Sequence, residues 1–206
     1  MATFSIVFVC TGNRFRSPLA EAFVRRLTLG LPVSTESCGT LEIDDAPALP
    51  EALELATAYG VDLSSHRTRH ITDLSLREVD LVLGFEEAHV LRAVVDAEAP
   101  RNRAFTVREI DRLLLAPEAP QETDPVTRAR RLVDELDVLR MSQPRSEADD
   151  LPDPFRRSRR VYRDTAAEIR DLSVLLTAKL FGVRDAPGLP SLRAKREHRR
   201  SLLWRR

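Results

Sequence analysis

Residues 4–23 read FSIVFVCTGNRFRSPLAEAF, and this stretch decides the fold of the chain. The run at 4–9 is apolar and rich in Val, Ile and Phe, which is typical of a buried β-strand. The Thr-Gly-Asn that follows the cysteine contains residue types that tolerate a tight turn. Ser17 is the predicted N-cap and Pro18 the predicted first residue of a helix. The stretch therefore predicts a strand, a loop and a helix in direct succession.

Cys10 ends the predicted strand and stands directly before the loop. The N–H groups at a helix N-terminus carry partial positive charge, so such a junction can bind an anion and favour the thiolate form of a thiol. Arg16 follows Cys10 by six residues and can fold back over the loop to hold an oxyanion through two parallel hydrogen bonds. The Cys-x5-Arg-Ser spacing therefore describes a nucleophile inside a phosphate-binding loop.

This motif resembles the signature of the low-molecular-weight protein tyrosine phosphatase family. That signature is a hydrophobic strand followed by Cys-x2-Asn-x2-Arg-Ser-Pro, and residues 10–18 match it. A bare Cys-x5-Arg is a weak pattern, but the preceding strand, Asn13 and the Ser-Pro pair make the match specific. The resemblance covers roughly 4–115 and 150–180. It implies an α/β fold with three layers and a doubly wound, four-stranded parallel sheet, with the phosphate loop after the first strand.

Further along the chain, predicted strands alternate with predicted helices, which favours a parallel sheet that is covered on both faces. Further strands are predicted at 33–38, 80–85 and 103–106. Helices are predicted at 51–59, 72–78, 86–95, 107–115, 126–141 and 158–180. Gly182 is the predicted stop of the last helix.

The length of 206 residues predicts one phosphatase domain at 1–181, with a helical and linker insertion at about 116–150. The polar end of this insertion, 142–150, is predicted to be mobile. A basic tail at 182–206 is predicted to be flexible, with eight Lys or Arg against two Asp or Glu from residue 181 onward. Such a tail is either solvated or makes a weak contact with an acidic partner or an anionic lipid.

Composition favours a soluble globular protein, with 43% hydrophobic and 31% charged residues. No apolar run approaches the ~20 residues of a transmembrane helix. A formal net charge of zero argues against nucleic acid as a partner. Two cysteines offer no disulfide framework and no signal peptide precedes the first strand, so a cytoplasmic location is expected.

The resemblance implies a catalytic role for three residues. Cys10 is the expected nucleophile, and Arg16 is expected to hold the phosphoryl oxygens. Asp153 is the expected general acid, because Asp-Pro-Phe at 153–155 matches the family's Asp-Pro-Tyr/Phe before the last helix. The family reaction needs no metal and no cofactor, and the sequence contains no metal-ligand cluster of His and Cys.

Other site residues are also expected from the resemblance. Ser37 and His66 are expected to support Asn13, although His66 can equally be a polar loop residue. Phe155 and Arg156 are expected to line the substrate wall. The loop residues expected to contact phosphate or shape its cradle are Thr11, Gly12, Asn13, Arg14, Phe15 and Ser17.

Two departures from the family pattern affect the loop. Family members commonly have Ile or Leu where Arg14 stands and often have a second Cys where Phe15 stands. Arg14, Arg156 and Arg157 at the mouth of the site would favour acidic substrates, unless acids of the chain pair with them. Without a neighbouring thiol, Cys10 is expected to be sensitive to irreversible oxidation.

Two other residues carry open interpretations. Cys38 is either a small buried hydrophobe or a resolving partner for Cys10. His89 is predicted to be solvated on its helix among charged neighbours.

The predicted function is hydrolysis of phosphate monoesters through a phosphocysteine intermediate, with a phosphotyrosine protein or a small aryl phosphate as substrate. One alternative is arsenate reduction with an external thiol. The other is a catalytically weak relative that binds phosphorylated partners.

Overall fold

The computed structural model describes residues 2–116, 122–183 and 189–190. Four parallel strands form one sheet in the order β2-β1-β3-β4. This arrangement confirms the predicted doubly wound α/β fold. The strands are β1 (Phe4–Cys10), β2 (Val33–Gly39), β3 (Leu81–Gly84) and β4 (Ala104–Thr106).

Helices cover both faces of the sheet. One face packs on α1, α2, α4, α5 and α6, and the other packs mainly on α3 and a 3-10 turn at Ile71–Asp73. The helices are α1 (Arg16–Leu27), α2 (Pro50–Ala58), α3 (Glu87–Asp96), α4 (Val107–Leu114), α5 (Pro125–Arg140) and α6 (Arg159–Phe181).

The central strand β1 positions the site. Its Val, Ile and Phe side chains are buried, because a parallel strand in the middle of a covered sheet meets apolar layers on both faces. Cys10 is its last residue and pairs in register with Gly39 at the end of β2. The nucleophile candidate therefore lies at the carboxyl edge of the sheet, where open α/β sheets bind their ligands.

Two local predictions are wrong. Helix α1 begins at Arg16 with Phe15 as its N-cap, so Ser17 is not the cap and its hydroxyl is free for other contacts. The helix predicted at 72–78 is only the 3-10 turn Ile71–Asp73, which is capped by His70. Asp73 closes this turn by accepting a hydrogen bond from the His70 N–H at 2.9 Å. The chain then enters an irregular connection to β3.

The inserted helix α5 is part of the core. Its apolar side chains pack against the same layer as α6, and the buried ones are Val126, Ala129, Leu132, Val133 and Leu136. Most of the tail, at 184–188 and 191–206, lies outside the described residues, and so does its predicted flexibility. Gly182 ends α6 in the left-handed conformation at φ +72°, as predicted.

Ion pairs connect the segment 142–150, which is predicted to be mobile, to two helices. Asp149 is buried and pairs with Arg112 of α4 at 3.1 Å, while Arg145 pairs with Glu87 at the start of α3 at 2.6 Å. Burial alone would raise the pKa of Asp149, but hydrogen bonds from Arg112 and the Ser146 N–H hold it below its ordinary value. The polar composition of this segment therefore includes charges that are paired with residues of α3 and α4.

Each described helix is either too short or too polar to cross a membrane.

Candidate active site

Asn13 shapes the loop after β1. Its φ of +49° is left-handed, a conformation that Asn tolerates better than most residues. Its side-chain amide donates to the hydroxyls of Ser17 and Ser37, both at 2.9 Å, and its Oδ1 accepts from the Arg69 N–H at 3.0 Å. The turn that carries the loop around the sulfur is therefore fixed by three buried or partly buried hydrogen bonds.

Two further residues expected to support this loop, Ser37 and His66, contact Asn13. The Ser37 hydroxyl donates a hydrogen bond to Glu21 Oε2 at 2.6 Å, and its oxygen accepts the hydrogen bond from the Asn13 amide. His66 Nε2 lies 2.7 Å from the carbonyl oxygen of Asn13 and must therefore donate to it. Burial lowers the pKa of His66. The structure thus brings together both predicted supports with the Asn13 turn.

Cys10 is buried beneath the loop and has two polar neighbours. Its Sγ lies 3.0 Å from Ser17 Oγ and 3.2 Å from the Asn13 N–H. The Ser17 hydroxyl is also 3.3 Å from the carbonyl oxygen of Cys38, so its single proton can turn toward either acceptor. A thiolate at Cys10 would attract that proton, because hydrogen bonds to ionised acceptors are the stronger ones.

Gly39 lets the loop approach the sheet closely. A Cβ at this position would lie 2.9 Å from the carbonyl oxygen of Thr11 and 3.1 Å from the Asn13 nitrogen. Both contacts are with backbone, which cannot move aside without displacing the loop. The glycine therefore makes room for the loop against the end of β2.

The Arg16 guanidinium is only 1% exposed and faces two carboxylates. Its Nη1 pairs with Glu86 and also donates to the carbonyl oxygen of Leu151 at 2.9 Å. Its Nη2 donates to Asp153 Oδ2 at 2.7 Å and to Thr11 Oγ1 at 3.0 Å. Arg16 therefore joins the phosphate loop to the segment that carries the expected general acid.

The chain around Asp153 is fixed by backbone as well as by ion pairs. The Leu151 N–H donates to the carbonyl oxygen of Phe85 at 2.7 Å, next to the end of β3. Asp150 accepts from the Glu87 N–H at 2.8 Å and pairs with Arg145. These contacts place the Asp153 carboxylate, which is 38% exposed, at the mouth of the site.

A cavity of about 140 Å³ opens over Cys10 and Arg16, with Asp153 at its edge. Much of its wall is apolar and comes from Leu41, Ile43, Leu49 and Phe155. Phe15 contributes to the lining, but its ring is mainly buried and packs edge-to-face on Tyr162 with ring centroids 4.9 Å apart. The cavity can therefore hold a flat apolar group beside the thiol.

The three arginines expected at the mouth have no acidic partner among the described residues. Arg14 lines the cavity and uses its Nε to donate to the carbonyl oxygen of Pro47 at 2.9 Å. Arg156, which was expected in the substrate wall, is not among the cavity-lining residues; it lies over the ring of the lining residue Phe155, with its guanidinium carbon 5.4 Å from the centroid. Arg157 is exposed. Within the described ranges, none of the three forms an ion pair with an acid of the chain.

Sequence reasoning misses two polar side chains that contact Arg16 and Thr11. Glu86 pairs with Arg16, and His89 lies 2.9 Å from Thr11 Oγ1 through its Nε2. His89 is predicted to be solvated, but it is buried. The start of α3 lies against the loop, and the ring of His89 contacts Thr11 and the Glu86 N–H. Glu86 and His89 are three residues apart, and this spacing predicts that both side chains lie on one face of the helix. The spacing does not indicate that this face contacts the loop after β1.

Cys38 faces away from Cys10. Its side chain belongs to the apolar cluster with Val7, Val9 and Ile71, whereas Cys10 belongs to the cluster on the opposite face of the sheet. Burial, followed by the charge of Cys10, raises the pKa of Cys38 to about 12. The structure therefore favours the small buried hydrophobe over the resolving partner.

In the part of the chain that the structure describes, no three His, Cys, Asp or Glu side chains converge to hold a metal ion. The positive charge facing the cavity comes from Arg16, Arg14 and the loop N–H groups.

A family model described as low molecular weight phosphotyrosine protein phosphatase matches residues 5–118, more than half of the chain. The low molecular weight protein-tyrosine-phosphatase Etp of Escherichia coli K12 is 38% identical over 103 residues, which cover 50% of this chain and 67% of that protein. A protein-arginine-phosphatase of Bacillus subtilis 168 is 32% identical over 106 residues, covering 50% of this chain and 70% of the relative.

A solved structure supports the same assignment over a longer part of the chain. The low molecular weight protein tyrosine phosphatase from T. tengcongensis superposes with a TM-score of 0.64 and 27% identity, covering 86% of this chain and all of the other. The region matched by the family model, 5–118, contains nearly all of β1, the Cys10 loop and the other three strands. The chain is therefore an enzyme of the low molecular weight protein-tyrosine-phosphatase family.

Proposed function

We propose that this phosphatase hydrolyses phosphotyrosine in proteins through a phosphocysteine intermediate. Cys10 is the proposed nucleophile, Arg16 the phosphate-binding cation and Asp153 the proton donor. The observation that carries the proposal is the meeting of these three side chains at one cavity, with Arg16 Nη2 2.7 Å from Asp153 Oδ2 above the buried thiol.

The first step forms a bond between sulfur and phosphorus and breaks the bond between phosphorus and the aryl oxygen. Asp153 gives its proton to the departing aryloxide, a contribution of about 10²–10⁴ in rate for a placed general acid. The Arg16 guanidinium and the loop N–H groups hold the equatorial oxygens.

The second step transfers the phosphoryl group to water. Asp153, now ionised, takes a proton from the water as it attacks phosphorus, and the sulfur leaves as a thiolate. The Ser17 hydroxyl, 3.0 Å from the sulfur, stabilises that thiolate by donating to it. All positive charge in this scheme comes from the chain, so the proposed reaction needs no metal.

Phosphotyrosine is favoured over phosphoarginine by the cavity wall. The apolar side chains Leu41, Ile43 and Phe155 suit an aromatic ring. A guanidinium leaving group is cationic, and it would meet Arg14, which lines the cavity and has no acidic partner among the described residues. The substrates that separate the two activities are a phosphotyrosine peptide and a phosphoarginine peptide of the same sequence.

We also propose a cytoplasmic location and a single phosphatase domain at 1–181, which includes the insertion at 116–150. The location rests on the free thiols Cys10 and Cys38, since a reducing compartment keeps the nucleophile active. The domain assignment rests on α5, whose apolar face shares the core layer of α6.

The test is hydrolysis of an aryl phosphate in the presence of a chelator. Cys10→Ser should abolish turnover, while the matched thiol variant Cys38→Ser should keep it. Asp153→Ala should slow substrates with poor leaving groups most, because these depend most on protonation. Robust turnover by Cys10→Ser would overturn the proposal, and so would arsenate reduction with small thiols at a rate that exceeds aryl phosphate hydrolysis.

A further inference from the structure

The first turn of α3 touches the phosphate loop through His89. The Glu86 N–H donates to His89 Nδ1 at 3.0 Å, so this nitrogen is an acceptor and carries no proton. In a neutral imidazole the proton then lies on Nε2. His89 Nε2 is 2.9 Å from Thr11 Oγ1 and donates to it. The backbone at the start of α3 therefore selects the tautomer that points a donor at Thr11.

Thr11 Oγ1 receives a second hydrogen bond from the Arg16 guanidinium. Arg16 Nη2 lies 3.0 Å away and can only donate, because a guanidinium has no acceptor. A hydroxyl oxygen has two lone pairs, and both are now used. The proton of the Thr11 hydroxyl must therefore point in a third direction, and Thr11 lines the cavity together with Cys10 and Arg16.

We propose that the Thr11 hydroxyl is an additional phosphate-binding donor and that His89 is the positioning residue that aims it. The ligand class is a tetrahedral oxyanion, either the phosphoryl group of the substrate or inorganic phosphate. This inference rests on the proposed function, in which the loop holds the phosphoryl oxygens. It adds a side-chain donor to the backbone N–H groups and to Arg16.

The charge state of His89 supports this arrangement. Burial, and then the nearby charge of Arg16, lower the pKa of His89 to about 3. The ring is therefore neutral across the pH range in which the enzyme can be assayed. A protonated ring would lose the hydrogen bond from the Glu86 N–H, because Nδ1 would then be a donor.

Inorganic phosphate is the probe, titrated as a competitive inhibitor and by calorimetry. Thr11→Val removes the hydroxyl with little change of shape and should weaken phosphate binding about 10- to 100-fold, as expected for a hydrogen bond to a charged group. Thr11→Ser keeps the hydroxyl and should lose no more than about threefold. Equal binding by the wild type and Thr11→Val would overturn the proposal.

A double-mutant cycle separates positioning from a general structural role. His89→Leu should weaken phosphate binding on its own but should cost less than about twofold in the Thr11→Val background, because its effect passes through the hydroxyl. His89→Gln can place an amide N–H near the position of Nε2 and should recover most of the loss. Equal losses from His89→Leu in both backgrounds would overturn the positioning role.

Melting curves identify variants that fail to fold, and the pair Thr11→Val and Thr11→Ser decides the phosphate donor even if His89→Leu is unstable. The experiments also distinguish failure of this inference from failure of the proposed function. If the wild type turns over no aryl phosphate, the proposed function fails, while the phosphate titrations still report on the Thr11 hydroxyl. If Cys10→Ser abolishes turnover and Thr11→Val binds phosphate normally, only the present inference fails.

Discussion

Arg16 Nη2 donates to Asp153 Oδ2 at 2.7 Å across 137 residues of chain. The guanidinium that would bind the phosphoryl group therefore also binds the proposed proton donor. A phosphate dianion entering the site must compete with this carboxylate for the same nitrogen. The ion pair between Arg16 and Asp153 therefore works against phosphate binding by Arg16, and a carboxylate in this pair is ionised and has no proton to donate.

Asp153→Ala is expected to bind inorganic phosphate more tightly while turning over more slowly. Removing the competing carboxylate should tighten phosphate binding about two- to fivefold, since partly exposed ion pairs contribute about 0.2–1 kcal/mol. The loss of the general acid should lower kcat about 10²- to 10⁴-fold. Phosphate inhibition constants and kcat for an aryl phosphate measure the two effects. Asp164→Ala, on the exposed side of α6, is the matched control and should change neither. Weaker phosphate binding by Asp153→Ala would contradict this account.

Asn13→Ala should destabilise the fold and abolish most activity. The variant loses the amide contacts to Ser17 and Ser37 and places Ala at a left-handed φ, which together should cost about 2–4 kcal/mol. Asn13→Gly removes the same contacts without the strain and should be about 1 kcal/mol more stable than Asn13→Ala. Urea unfolding measures both. If the two variants are equally stable, the backbone conformation is not a source of strain.

Peroxide should inactivate the enzyme in a way that Cys38 does not influence. The sheet separates the two sulfurs, and Phe15 offers no neighbouring thiol. Oxidation of Cys10 should proceed to acids that thiols do not reduce, unless a small thiol caps the sulfenic acid first. Inactivation and recovery should be the same in wild type and Cys38→Ala. Full recovery with dithiothreitol alone after prolonged peroxide treatment would contradict this expectation.

Arg14→Ile should reduce the preference for acidic phosphopeptides. The guanidinium of Arg14 has no acidic partner among the described residues, and carboxylates beside the phosphotyrosine would meet it at the mouth. A change of about two- to tenfold in kcat/KM between acidic and neutral peptides is expected, and salt should weaken it. Arg131→Ile, on the exposed side of α5, should leave the preference unchanged. An unchanged preference in Arg14→Ile would end this interpretation.

The pH dependence of stability should contain a contribution from His89. Its folded pKa of about 3 lies below the unfolded value of 6.5, so the unfolded state binds the proton first. The contribution of His89 to stability should therefore be constant above pH 7 and fall as pH drops below 6.5, by about 1.4 kcal/mol per pH unit. His89→Gln cannot titrate and should show a shallower slope between pH 4 and 6.5 in urea unfolding. Identical slopes would show that His89 titrates normally in the folded protein.

The main architecture was predictable because its signals are local. The apolar run of β1, the Cys10-to-Pro18 motif and the apolar spacing of α6 each fall within a short window. The prediction that Ser17 caps α1 is wrong: Ser is a common helix cap, but here its hydroxyl lies 3.0 Å from the sulfur of Cys10. Local preference and site chemistry compete at this residue, and the site chemistry decides.

The parts that escaped prediction depend on contacts between distant segments. Glu86 and His89 read as polar residues of a surface helix, and only the approach of α3 to the loop gives them partners. The polar segment at 142–150 read as mobile because the acids and arginines that hold it lie on α3 and α4. A charged side chain that is paired with a distant residue cannot be distinguished in the sequence from one that faces solvent.

The distance along the chain between Arg16 and Leu151 sets when the enzyme can become active during synthesis. A ribosome has made the thiol, the loop and all four strands of the sheet long before it adds the proposed acid. Until residues 145–153 dock, the nascent protein has a nucleophile without a proton donor, and Arg16 lacks two of its acceptors. Under the proposed function, catalytic competence therefore marks the completion of nearly the whole domain, because a nascent chain that ends within α5 lacks both Asp153 and the helix α6, whose Tyr162 packs on Phe15 of the loop.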